Sequence, residues 1–148
     1  MQDFKPKYEL IWDYFKEICA IPRPSGKEEK IREYLLDFAS KEGFASKVDK
    51  AGNVLITRAG NAPAIALQAH MDMVCEKNNN VEHDFLTEGI KTYINDGGMH
   101  AEGTTRGADN GIGMAMIMAA MKSYTGDKTI EGIFTVEEET GLSGAERM

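Results

Sequence analysis

The sequence predicts an α/β sandwich. Apolar residues recur at helical spacing in three segments, short apolar runs bounded by turn residues lie among them, and the two kinds of segment interleave. The first helical segment, about residues 8–20, puts Leu10, Ile11, Tyr14, Phe15, Ile18 and Cys19 on one stripe, and Pro22 and Pro24 stop it. Ser25 is read as opening a second helix, because Glu28 three residues on completes a capping-box pattern. Ile31, Leu35 and Phe38 supply its buried stripe, and Gly43 ends it.

Strands follow. Val48 leads into a turn at Lys50-Ala51-Gly52-Asn53, and Val54-Leu55-Ile56-Thr57 reads as a strand. A second turn is expected at Gly60-Asn61-Ala62-Pro63, before an apolar run from Ile65 to Gln68 that leads into His70-Met71-Asp72. Residues 76–89 are polar and aperiodic, so they read as a loop. Ile90 to Ile94 and Met99 to Glu102, joined through Asp96-Gly97, form a hairpin pattern. Residues 110–121 are Met- and Ala-rich and predict a buried helix. A last apolar strand, about residues 130–136, runs into Glu137-Glu138-Glu139-Thr140-Gly141.

Composition narrows the function classes. The 148 residues suit one domain, and 42% hydrophobic content is enough for a core. Seventeen Lys and Arg against 24 Asp and Glu leave a net charge of −7, with no basic patch to neutralise phosphates; nucleic-acid binding is not expected. No apolar stretch is long enough to span a bilayer, and the opening residues lack a signal-peptide pattern, so a cytoplasmic protein without a membrane partner is expected. Cys19 and Cys75, far apart in sequence, are expected to be free thiols.

Three polar clusters close apolar elements. His70 and Asp72, two apart at a strand end, point the same way, so the carboxylate can hold one ring nitrogen while the other faces a metal. The bland reading of such a histidine is a hydrogen-bonded structural residue. Asp109 follows a Gly-rich turn and precedes an apolar helix; on its own it reads as an N-cap well ahead of a cation ligand, although a buried helix start also places it to bridge cations. Glu137-Glu138-Glu139 reads as a solvated charge run, or as carboxylates that need cations or protons where a buried strand ends. One His, two Asp and adjacent Glu at element ends fit a dinuclear hydrolytic site.

Several stretches carry a resemblance: Leu67-Gln68-Ala69-His70-Met71-Asp72-Met73-Val74, Gly103-Thr104-Thr105 through Gly111-Ile112-Gly113, Glu137-Glu138-Glu139-Thr140-Gly141 and the opening Ile21-Pro22-Arg23-Pro24-Ser25-Gly26. In order and spacing they resemble the aminoacyl-histidine (Xaa-His) dipeptidases of the di-zinc aminoacylase and carboxypeptidase superfamily. The resemblance implies a three-layer sandwich with a central mixed sheet flanked by helices, incomplete over these residues. It implies two divalent metal ions, zinc by family. His70 and Glu139 would ligate one metal each, Asp109 would bridge both through a cis Asp109-Asn110 bond, Asp72 would orient His70, and Glu138 would be the general base. Gly141 sets that register; a shift by one would pair Glu137 with Glu138. Arg106 departs from the apolar residue usual there. His83 and His100 match no motif and are expected at the surface.

Family members are longer. Residues 1–148 correspond to the N-terminal portion of their catalytic domain, without the lid and dimerisation domain or the C-terminal ligands. Each metal would find two of three protein ligands here, so the expectation is weak metal binding or none, raised carboxylate pKa values, uncovered apolar surface, and a homodimer only for the full-length protein. The expected substrate is a small dipeptide ending in histidine. The competing reading is a non-catalytic module that folds and binds a partner.

Overall fold

A computed structural model describes residues 8–148 of the chain. Helix α1 (Glu9–Cys19) and α2 (Glu29–Glu42) come first, followed by strands β1 (Ala45–Val48), β2 (Val54–Arg58) and β3 (Ala62–His70). The hairpin β4 (Thr92–Asn95) and β5 (Gly98–Ala101) precedes α3 (Ala108–Ser123), β6 (Lys128–Thr135) and a single turn, α4 (Ser143–Glu146). The main sheet has the order β1-β2-β6-β3. It is mixed: β1–β2 and β2–β6 are antiparallel, while β3 and β6 run parallel. The expected mixed sheet with packed helices is therefore what forms.

Alternation decides which face is buried. In register, Val54 pairs with Phe134 and Ile56 with Gly132, and all four are buried. Helix α3 lies over β3 and β6, α1 packs on α3, and α2 packs on β1 and β2. The core joins Phe15 and Ile18 of α1, Ile31 and Leu35 of α2, Met114, Met118 and Met121 of α3, and the inward residues of the strands. At Gly132 side chains of α3 come close against the sheet. A Cβ there would stand 3.0 Å from Ile117 Cγ2, Met121 Sδ and Phe134 Cε2.

Several local expectations are corrected. Ser25 does not cap α2: the N-cap is Glu28, no side-chain cap bond forms, and the Ser25 hydroxyl is engaged elsewhere. Gly43 does close that helix, with φ +72° in the left-handed region. Strand β3 begins at Ala62, so Pro63 lies within it rather than in a turn. Its register against β6 shifts between Ala62 and Ile65, and β3 is an edge strand, so the missing N–H breaks no ladder. Asp109 is not a cap either. Gly107 holds that position, and Asp109 and Asn110 keep non-helical backbone angles inside the first turn. The Asp109-Asn110 peptide bond is cis, as the resemblance implied. His83 is not a surface residue: its side chain is 2% exposed, against Phe85 and 3.5 Å from Glu88, because the loop of residues 76–89 folds over it. Apolar surface does remain open at Ile65, Met116 and Leu142.

Candidate active site

The parallel pair β3 and β6 ends side by side, His70 opposite Thr135, and this brings the first and third polar clusters to one end of the sheet. The start of α3, packed over the same strands, brings Asp109 to that end as well. Three segments separated in sequence thus converge because of topology, not local sequence.

The floor is the His70–Asp72 turn. His70 is 5% exposed and Asp72 fully buried. His70 Nδ1 lies 3.0 Å from the Asp72 carbonyl oxygen and 3.3 Å from Asp72 Oδ1. A carbonyl can only accept, so Nδ1 carries the proton, and Nε2 is aimed outward. The Asp72 carboxylate is surrounded by donors. Oδ1 accepts from the Glu138 N–H at 3.1 Å; Oδ2 accepts from the Glu139 N–H at 3.1 Å and from Ser25 Oγ at 2.6 Å. Burial opposes its charge, but the bonds from His70, Ser25 and the two amides outweigh it and hold the carboxyl at about 2. Burial likewise disfavours a charged His70, yet the bonds and charges of Asp72, Asp109 and Glu138 lift it to about 9.

The rim is acidic. His70 Nε2 is 3.0 Å from Asp109 Oδ1 and 3.7 Å from Glu138 Oε2. Ligating atoms of His70, Glu138 and Glu139 all lie within 4.8 Å of one another, close enough to share one ion. Asp109 stands beside this triplet through its contact with His70, its own side chain 85% exposed. An imidazole with carboxylates is a nitrogen and oxygen donor set that suits zinc and similar divalent ions, so the residues present fit a metal. Cavities open on two sides. One of about 420 Å³ is lined by Thr105, Arg106, Asp109 and Glu139; the other, about 490 Å³, by Gln68, His70, Asp109, Glu138 and Leu142.

The expected rise in carboxylate pKa holds for Glu139, pushed up by burial and by the neighbouring charges of Glu138, Asp109 and Asp72 against the pull of His70. It fails for Glu137. Glu137 turns away from the cluster: it accepts from the Ser143 hydroxyl and, at 2.5 Å, from Arg147, which together lower it. Its amide is held by Glu28 Oε1 at 3.1 Å, the carboxylate that the sequence pattern assigned to a capping box.

Sequence reasoning gave no part in the site to Arg23, Ser25 or Asn53. Arg23 is 1% exposed and donates to the carbonyl oxygens of Met71, Asp72 and Gly107. Asn53 is equally buried; it accepts from the Val136 N–H at 2.9 Å and donates to the Gly144 carbonyl at 2.8 Å, pinning the turn that carries Glu138 and Glu139. The one available signal was an arginine between two prolines, next to a strongly apolar helix. Arg106 is exposed and donates to the Met99 carbonyl at 2.8 Å, tying the loop before α3 to the hairpin.

Fold and site together define a segment of an α/β sandwich with a metal-competent carboxylate and imidazole cluster. The chain belongs to peptidase family M20/M25/M40, whose pattern it matches over residues 66–148. It is 43% identical over 141 residues to the cytosol non-specific dipeptidase of Escherichia coli K12, covering 91% of this chain and 29% of that protein. The crystal structure of aminoacylhistidine dipeptidase from Vibrio alginolyticus superposes with a TM-score of 0.90 at 37% identity, over 100% of this chain and 32% of that one. A Bacillus subtilis protein described as a dinuclear metal binding peptidase of family M20 shares the fold at 16% identity, TM-score 0.62, covering 95% of this chain and 38% of that one. The chain thus spans about a third of the length of the first two relatives. No described helix is long and apolar enough to cross a membrane.

Proposed function

We propose that residues 1–148 are the N-terminal portion of the catalytic domain of a dinuclear metal-dependent dipeptidase, acting in the cytoplasm on dipeptides with C-terminal histidine. The observation that carries this reading is the convergence of His70, Glu138 and Glu139 within 4.8 Å, with Asp109 3.0 Å from His70. Identity to two dipeptidases, one of them named for aminoacylhistidine substrates and one for the cytosol, supports the substrate class and the compartment. The lid and the homodimer belong to the remainder of the full-length protein.

In this reading His70 and Glu139 would hold one metal each, Asp109 would serve both, and Asp72 keeps His70 oriented through Nδ1. Two bound divalent ions would acidify water and polarise the scissile carbonyl. Glu138 is the general base: its carboxylate faces the cluster and is 35% exposed, so it can take a proton from the attacking water and return it to the leaving amine nitrogen. Glu137 cannot share this role, since Arg147 and Ser143 occupy it.

The test separates base from ligand. Zinc titration of the chain by competition with a chromogenic chelator should show more than about ten-fold weaker binding for Glu139→Ala and near-parent binding for Glu138→Gln. In the full-length protein Glu138→Gln should abolish hydrolysis of an Xaa-His dipeptide while metal content stays. Equal metal loss in both variants would show the register to be wrong. A full-length protein that takes up no metal would favour the non-catalytic module.

A further inference from the structure

We infer that Arg23 is a positioning residue of the metal site, the clamp that fixes the His70 turn and the start of α3 at the spacing a shared ion requires. The inference rests on the dinuclear reading above and adds to it a residue outside the ligand set. Arg23 Nη1 donates to the carbonyl oxygens of Met71 at 3.0 Å and Asp72 at 3.1 Å, while Nη2 donates to the carbonyl of Gly107. Met71 adjoins His70, and Gly107 lies two residues before Asp109. One rigid planar fork therefore spans the two backbones whose side chains meet at 3.0 Å.

The surroundings are shaped around that guanidinium. A Cβ on Gly107 would come within 2.6 Å of Nη2 and one on Gly111 within 2.8 Å, so both small residues leave room for it. The Arg23 backbone is tied to the same turn, its carbonyl accepting from the Met73 N–H at 3.1 Å. Buried charge of this kind is retained only where polar partners compensate it. Here they are backbone carbonyls, with the Asp72 carboxylate nearby; burial lowers the guanidinium to about 10, which leaves it charged at neutral pH. Lysine, a single-point donor on a flexible stem, cannot bridge both backbones at once.

Cobalt(II) titration of the chain, read by the ligand-field absorption band and paired with circular dichroism and thermal unfolding, tests the inference. Arg23→Lys should keep the parent's far-ultraviolet spectrum yet bind cobalt at least about ten-fold more weakly, within the range known for groups behind metal ligands, with a shifted band. Should Arg23→Lys not fold, Gly111→Ala supplies the second variant: it keeps the arginine but presses its Nη2 end, and the same weakening and band shift are expected. A folded Arg23→Lys, or Gly111→Ala where the first does not fold, with the parent's affinity and band would overturn the clamp. Full-length protein without cobalt uptake would instead remove the dinuclear reading itself, and the clamp with it.

Discussion

The floor and the rim of the site are built on opposite principles. On the floor, Asp72 is fully buried, accepts from Ser25 Oγ and two amides, and faces His70 Nδ1, so every polar group has a fixed partner. On the rim, Asp109 is 85% exposed and Glu138 35%, and like charges crowd together. The floor is satisfied without a cation, whereas the rim gains from one. A protein can thus preorganise the orientation of a ligand while keeping its charge imbalance for the ion it is to hold.

The sharpest way to break this contrast is Asp72→Ala. It strands the Ser25 hydroxyl, two amides and the imidazole, and should lower unfolding free energy by about 3–5 kcal/mol in urea denaturation, along with metal affinity. Asp109→Ala should do the opposite: metal affinity falls more than about ten-fold, while the urea midpoint of the metal-free chain stays near the parent's. Equal destabilisation by both would erase the distinction between floor and rim.

Acidity sharpens the comparison further. Asp72 is depressed to about 2 against an unfolded value of about 3.9, so its contribution is present above about pH 4 and is lost as pH falls toward 2. His70 is raised to about 9 from about 6.5, so its contribution is present below about pH 6.5 and is lost as pH rises through 9. Urea midpoints of the metal-free chain should fall at both ends, and Asp72→Asn should flatten the acid side. Metal at Nε2 must displace the His70 proton, so zinc affinity should climb between pH 6 and 9. The smallest effect is expected at the outer ion pair, where Arg147→Ala should leave the urea midpoint almost unmoved and change metal affinity little.

Much of this was legible in the residues. Periodicity located the elements because each buries one stripe or one face, and the polar clusters stood out because they close apolar runs. The His70–Asp72 relation followed from strand alternation alone. What local pattern could not supply was partnership across long separations. Ser25 matches a cap pattern perfectly well, yet its hydroxyl is claimed by Asp72, 47 positions away. Glu28 likewise bonds Glu137, 109 positions away. Arg23 speaks only to backbone carbonyls, which every residue carries, so no side-chain motif announces it. His83 was misplaced because a polar loop was assumed to lie flat, whereas its ring is tucked against Phe85.

Gly132 is no candidate ligand, yet its missing side chain leaves the room into which α3 packs. Ile117 and Met121 descend into the space that a methyl would fill. Asp109 stands just ahead of the regular turns of that same helix, 3.0 Å from His70. The contact between Asp109 and His70 thus depends on a residue in the middle of the sheet that touches neither of them.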